Sequence, residues 1–206
     1  MIFFKQRLLT SIFIGLMITG ILMHYLTTVK ADIENNVIRF HVVADNDSKE
    51  QQQLKLDVKD TVAQYIEKKL QNCEEVQQAY DIITAELNNI ADIACQKAQS
   101  EGFCHTIKSQ IGNFYFPTKQ YENFQLPAGN YNTLRITIGE GTGENWWCVL
   151  YPQLCFISCD SGRIKAEKIQ LLKKVLSEDE YNIISNSVNK KLPVKIKFRL
   201  LELLCP

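Results

Sequence analysis

The chain opens on a long apolar stretch, passes into a helical period and then into a period of two. Leu8 to Leu26 is uncharged and mostly apolar over nineteen residues. Val37 to Val43 alternates, with Ile38, Phe40 and Val42 on one face, which predicts a strand. Asp45-Asn46-Asp47-Ser48 breaks it, and Ser48-x-x-Gln51 has the spacing of a capping box that opens a helix. Leu54, Val58, Val62, Tyr65, Ile66 and Leu70 then recur at helical spacing to about Gln71. Val76, Tyr80, Ile83, Leu87, Ile90, Ala94 and Ala98 form one stripe of a second helix over 74–100, with Gly102 placed to end it.

From His105 the period becomes two. Thr106–Phe116, Lys119–Gln125 and Tyr131–Ile138 read as three strands, and Leu126-Pro127-Ala128-Gly129 suits a turn between two of them. Gly139 to Asn145 is a glycine-rich loop, read as a mobile one. Trp146 to Phe156 is apolar and aromatic. Residues 165–176 and 178–190 read as helices, and Val194–Leu200 as a last strand. Helices and strands are segregated, so the fold class is α+β. The expected architecture is a mainly antiparallel sheet with two consecutive N-terminal helices and C-terminal helices. An N-terminal signal or anchor helix precedes it.

Charge sharpens the reading of the first segment. Lys5, Arg7 and Lys30 are the only charges in residues 1–31; of 23 basic and 23 acidic groups, 20 basic and 23 acidic remain beyond them. A signal peptide has an apolar region of ~7–15 residues, whereas a spanning helix needs ~17–25. The run from Leu8 to Leu26 sits on that border. Val29-Lys30-Ala31 offers small residues for cleavage after Ala31. Three readings stand, a cleaved signal peptide, a retained anchor and a buried core helix, and the positive N-terminal end places residues 32–206 outside the cytoplasm in the first two. The division expected is 1–31 as signal or anchor and 32–206 as one exported domain. The mildly acidic remainder argues against nucleic acid as a partner.

Candidate chemistry is sparse. Asp45-Asn46-Asp47 starts like a calcium loop, but Glu50 stands where glycine is needed and Leu56 where the bidentate Glu belongs. Gly139-Glu140-Gly141-Thr142-Gly143 lacks the Lys-Ser/Thr of a phosphate loop. Cys95, Cys104 and His105 are a weak metal set, and no C-x-x-C pair exists. Cys148 with His41 or His105 is the one nucleophile–base pair to consider, in an exported hydrolase. Among seven cysteines, Cys148 and Cys155 are the candidate disulfide, with Pro152 between them. No catalytic, cofactor or metal residue is assigned. Trp146-Trp147 is the most unusual local feature. Neighbours on a strand face opposite sides, so one indole is expected near the surface. Trp146, Trp147, Cys148, Tyr151, Pro152 and Phe156 are therefore the candidate partner-binding block; packing over a sheet edge is the other reading.

Several stretches resemble the stage II sporulation protein R family. They are Asn36 to Ser48 with Gln51–Lys55, Phe116-Pro117-Thr118-Lys119-x-Tyr121, Leu126-Pro127-Ala128-Gly129-x-Tyr131, and the block Gly139 to Phe156. The resemblance runs from about Ile33 to Phe156, behind an export segment as in the family. Asp45-Asn46-Asp47 departs slightly from the family pattern, and 157–193 has no recognisable match. The resemblance implies a non-enzymatic signal, exported from the forespore into the space between the septal membranes. The implied partner is the membrane-embedded aspartic protease that processes pro-sigma E in the mother cell. It implies no cofactor and no small-molecule substrate, and membrane contact in transit or as an anchor.

Overall fold

The computed structural model describes residues 2–121, 123–155 and 166–189, apart from the side chains of 2–5, 8, 166–168 and 186–189. It is α+β. The N-terminal helix, α1 (Ile2–Asn36), is 35 residues long, or about 50 Å at 1.5 Å per residue. Its apolar side chains from Leu9 to Leu26 stand in the open; Leu9, Phe13 and Leu16 are about two-thirds exposed. The helix is long and apolar enough to cross a membrane. It does not stop where the apolar run stops. Residues 27–36 contain no Gly or Pro, and Thr27 and Thr28 return their hydroxyls to carbonyls one turn back. The last turns bury Val29 and Ile33 against the rest of the protein, followed by Val37. Ala31, the candidate cleavage point, is therefore an exposed helical residue between two buried ones.

Four strands form the main sheet, in the order β2-β5-β1-β6. They are β1 (Ile38–Val43), β2 (Ile107–Phe116), β5 (Gly129–Ile138) and β6 (Asn145–Tyr151). β2 runs antiparallel to β5, and β6 antiparallel to β1. The β1–β5 pair is parallel, so the sheet is mixed though mainly antiparallel. The crossover that parallel neighbours require is supplied by the helices between them. These are α2 (Lys49–Lys69), α3 (Val76–Ala85) and α4 (Leu87–Ser100). They cover one face of the sheet, where Phe40, Val42, Leu134, Ile136 and Leu150 meet Leu54, Val58, Ile83 and Ile90. Ser48 caps α2 by accepting from the Gln51 backbone N–H, but the expected box is only half formed: the Ser48 N–H goes to Asn46 Oδ1 and the Gln51 side chain meets His105.

The single helix expected over 74–100 is two helices. They meet at Glu86, whose backbone leaves the helical region (φ −93°, ψ 2°) and whose carboxylate accepts from Tyr65 Oη and from Lys69 Nζ and Asn89 Nδ2, each of the last two at 2.7 Å. Those hydrogen bonds hold the Glu86 carboxyl down at about 2. The strand expected over Lys119–Gln125 is also divided. The Tyr121 N–H returns to the Phe124 carbonyl at 2.8 Å, and the chain folds into a small hairpin of β3 (Lys119–Gln120) and β4 (Gln125–Leu126). This hairpin, the end of α1, α5 (Ala166–Val175) and α6 (Glu178–Asn189) pack on the second face around Phe116, Phe124, Tyr131 and Val149. The capping box at Ser177 and Glu180 opens α6. The strand expected at Val194–Leu200, and Phe156, Cys159 and Cys205, lie outside the described residues.

Candidate functional site

The glycine-rich loop is pinned, not mobile. Asp45 Oδ1 accepts from the Glu140 N–H at 2.8 Å, and Asp47 Oδ1 from the Glu144 N–H at 2.6 Å. The Thr142 N–H and hydroxyl both go to the Asp45 carbonyl. Gly139 and Gly141 adopt positive φ (56° and 66°), a region that suits glycine. A Cβ on Gly143 would fall 2.5 Å from the Asn46 carbonyl oxygen. The two segments that suggested calcium and phosphate chemistry thus bind each other.

The described part of the block, Trp146 to Cys155, does not lie on one surface. Trp146, Cys148, Leu150 and Tyr151 join the core on the helical side, whereas Trp147 and Val149 join the opposite one. Cys148, Tyr151 and Pro152 are buried, and the two indoles are half-buried. Lys59 Nζ lies 4.6 Å from the Trp146 ring centroid. The Tyr151–Pro152 peptide bond is cis, and the Tyr151 hydroxyl donates to the Glu74 carbonyl at 2.7 Å. Cys148 and Cys155 are disulfide-bonded, with Cα atoms 5.7 Å apart.

The nucleophile–base pair considered for a hydrolase does not form. His41 pairs across the sheet with Trp147 and Phe40 with Cys148, so the imidazole and the Cys148 sulfur are on opposite faces. His105 instead meets Gln51, with 2.8 Å between their Nε2 atoms. Cys104 is exposed and Cys95 half-buried. No group of three His, Cys, Asp or Glu among the described residues has the geometry to hold a metal ion.

The second face gathers cations and aromatics instead. Arg39 is fully buried. Its Nε donates to the Cys148 carbonyl at 3.1 Å and its Nη2 to Tyr121 Oη at 3.4 Å. Its guanidinium sits 4.5 Å over the Phe116 ring and 5.3 Å over Tyr131. Burial raises the Tyr131 phenol well above its ordinary value, partly offset by Arg39. One row further along the strands, Gln110, Arg135, His41 and Trp147 are consecutive cross-strand neighbours on all four strands. His41 Nε2 lies 2.7 Å from Asn145 Oδ1. Burial pushes the His41 imidazole below its ordinary value; the Asn145 hydrogen bond opposes this, and Arg135 and Arg39 add to it. Arg135 lies 5.5 Å from the Phe114 ring, and Lys119 Nζ 5.5 Å from the Trp147 ring.

Of the candidate partner-binding block, Trp147 stands on this face; Arg39, Arg135 and Lys119, which share it, were not singled out in the sequence. An arginine and a histidine at alternate places in the apolar strand Ile38–Val43 were the visible signal. The register that sets them beside Arg135 and Trp147 was not.

These features define a class: an α+β domain continuous with a helix able to cross a membrane, with Arg39, Arg135, Lys108 and Lys119 on one sheet face, none of them in an ion pair among the described residues. The family model for stage II sporulation protein R matches residues 34–161. A protein of Bacillus subtilis (strain 168) called "Stage II sporulation protein R" is 30% identical, over 96% of this chain and 96% of that protein. The chain belongs to the stage II sporulation protein R family. No solved structure matches it. The stretches that carried the resemblance converge on the second face. Arg39 and His41 come from the first, Phe116, Lys119 and Tyr121 from the second, Tyr131 from the third, and Asn145 and Trp147 from the fourth.

Proposed function

We propose that the protein is an exported signal of endospore formation. In this reading it leaves the forespore, reaches the space between the septal membranes and activates the membrane-embedded aspartic protease that processes pro-sigma E in the mother cell. Family membership carries the proposal. The apolar N-terminal helix supports export or anchoring. The competing reading as a cysteine hydrolase is disfavoured, since a buried sulfur bonded to Cys155 is no nucleophile. An activator works by binding the active state of its target better than the inactive one. Trp147, half-buried on the cationic face, is the aromatic anchor we assign to that contact; Trp146 serves the core.

The test is pro-sigma E cleavage in cells that co-express precursor and protease, with and without this chain. Cleavage should require the chain and survive Cys148→Ser wherever the folded protein still accumulates. Trp147→Ala should lower it roughly tenfold or more, as for a central aromatic contact. Trp146→Ala should act mainly through stability. Equal cleavage with and without the exported, folded chain would overturn the proposal.

A further inference from the structure

The row Gln110–Arg135–His41–Trp147 is open where the neighbouring row is closed. Around Phe116, Tyr131 and Val149 the second face is covered by α1, the β3–β4 hairpin, α5 and α6. In the adjoining row Gln110 is exposed, and Arg135, His41 and Trp147 are each half-buried. Lys119 flanks Trp147, and Lys108 lies exposed on the same face as Gln110. None of the four ion pairs among the described residues involves Arg39, Arg135, Lys108 or Lys119. Among the described residues, Arg135 Nε is a buried donor with no hydrogen-bond partner. Such donors are costly to leave unmet. The concentration of positive charge is local, because residues 32–206 together carry more acidic than basic groups.

We propose that this row is the docking site for an acidic peptide segment of the partner. This rests on the signalling reading. A carboxylate can take the Arg135 guanidinium in its fork, a second can reach Lys119 or Lys108, and Phe114 and Trp147 give apolar side chains a place between them. Four strands at ~4.8 Å spacing make a row of about 14 Å, long enough for several extended residues. The chain's own C-terminal segment is unsuited to the place: residues 190–206 hold Lys190, Lys191, Lys195, Lys197 and Arg199 against Glu202 alone.

The experiment uses the full chain in phosphatidylcholine nanodiscs and a fluorescein-labelled, capped Glu-Ala repeat peptide, read by anisotropy. The Glu-Ala peptide should bind, and its Gln-Ala counterpart about tenfold more weakly. Arg135→Ala should weaken binding about tenfold and Arg135→Lys less, since lysine keeps charge but not the fork. Lys119→Ala, at a half-buried side chain beside the site, should cost roughly threefold, and Lys68→Ala, at an exposed position of α2, nothing. Circular dichroism checks each fold. Equal binding of the two peptides would overturn the proposal, as would binding indifferent to both Arg135→Ala and Lys119→Ala. So would Arg135-dependent capture of phosphatidylglycerol vesicles with no peptide binding, which would make the row a lipid-headgroup site. Failure of the wild-type chain to trigger pro-sigma E cleavage would remove the signalling reading, while the peptide titration still decides the site.

Discussion

Arg39 carries a full charge into a place where no carboxylate among the described residues pairs with it. It is held by one carbonyl, one phenol and two aromatic faces. Its planar group suits that cage, since a guanidinium stacks on rings and is less strongly hydrated than an ammonium. Replacing it with alanine would take a donor from the Cys148 carbonyl and empty a space beside Phe116. Arg39→Ala is expected to destabilise the fold by about 2–4 kcal/mol, and Arg39→Lys to recover less than half of that. Urea unfolding followed by far-ultraviolet circular dichroism measures both. Equal stability of the lysine variant and the native chain would mean that charge, and not the planar stack, holds this site.

At the scale of elements, the contact between the Asp45–Ser48 turn and the glycine loop shows how two weak motifs become one strong joint. Gly143→Ala would drive a Cβ into the Asn46 carbonyl, which is backbone and cannot swing aside. A loss of about 1–3 kcal/mol is expected, and the melting temperature of the variant checks it. Local signals of this kind were only half legible. The Ser48 cap, the capping box at Ser177, the stripe of α2 and the alternation of β1 and β5 all depend on neighbours three or four places away or on a simple period, and the sequence displays them. The junction at Glu86 is a local departure of one residue's backbone, and a helical stripe passes through it unmarked. The glycine loop looked free because its two anchors, Asp45 and Asp47, are almost a hundred residues distant. The same limit hid the site: Trp147 announces itself, whereas Arg135 is a polar residue on a half-buried strand until pairing sets it beside His41.

For the molecule as a whole, the two cores differ in what supports them. One is closed by α2, α3 and α4 and draws on no residue before β1; the other includes Val29 and Ile33 from α1. A chain beginning at residue 32 should therefore be less stable than one beginning at residue 28, by about 1–2 kcal/mol for the lost burial of Val29. Thermal unfolding of the two truncated chains in parallel measures it, and identical stability would show that the last turns of α1 merely rest on the domain.

The unbroken run of α1 from its bare apolar flank into the second core has a mechanical meaning. There is no swivel between the lipid-suited part and the folded part, only continuous helix clamped by Val29 and Ile33. Wherever that helix stays in a bilayer, its tilt sets the attitude of the domain, and turning the helix about its own axis sweeps the cationic row around like a pointer on a shaft. Cutting the shaft would free the pointer to meet its target from any direction; leaving it whole would restrict the meeting to one height and one bearing above the membrane.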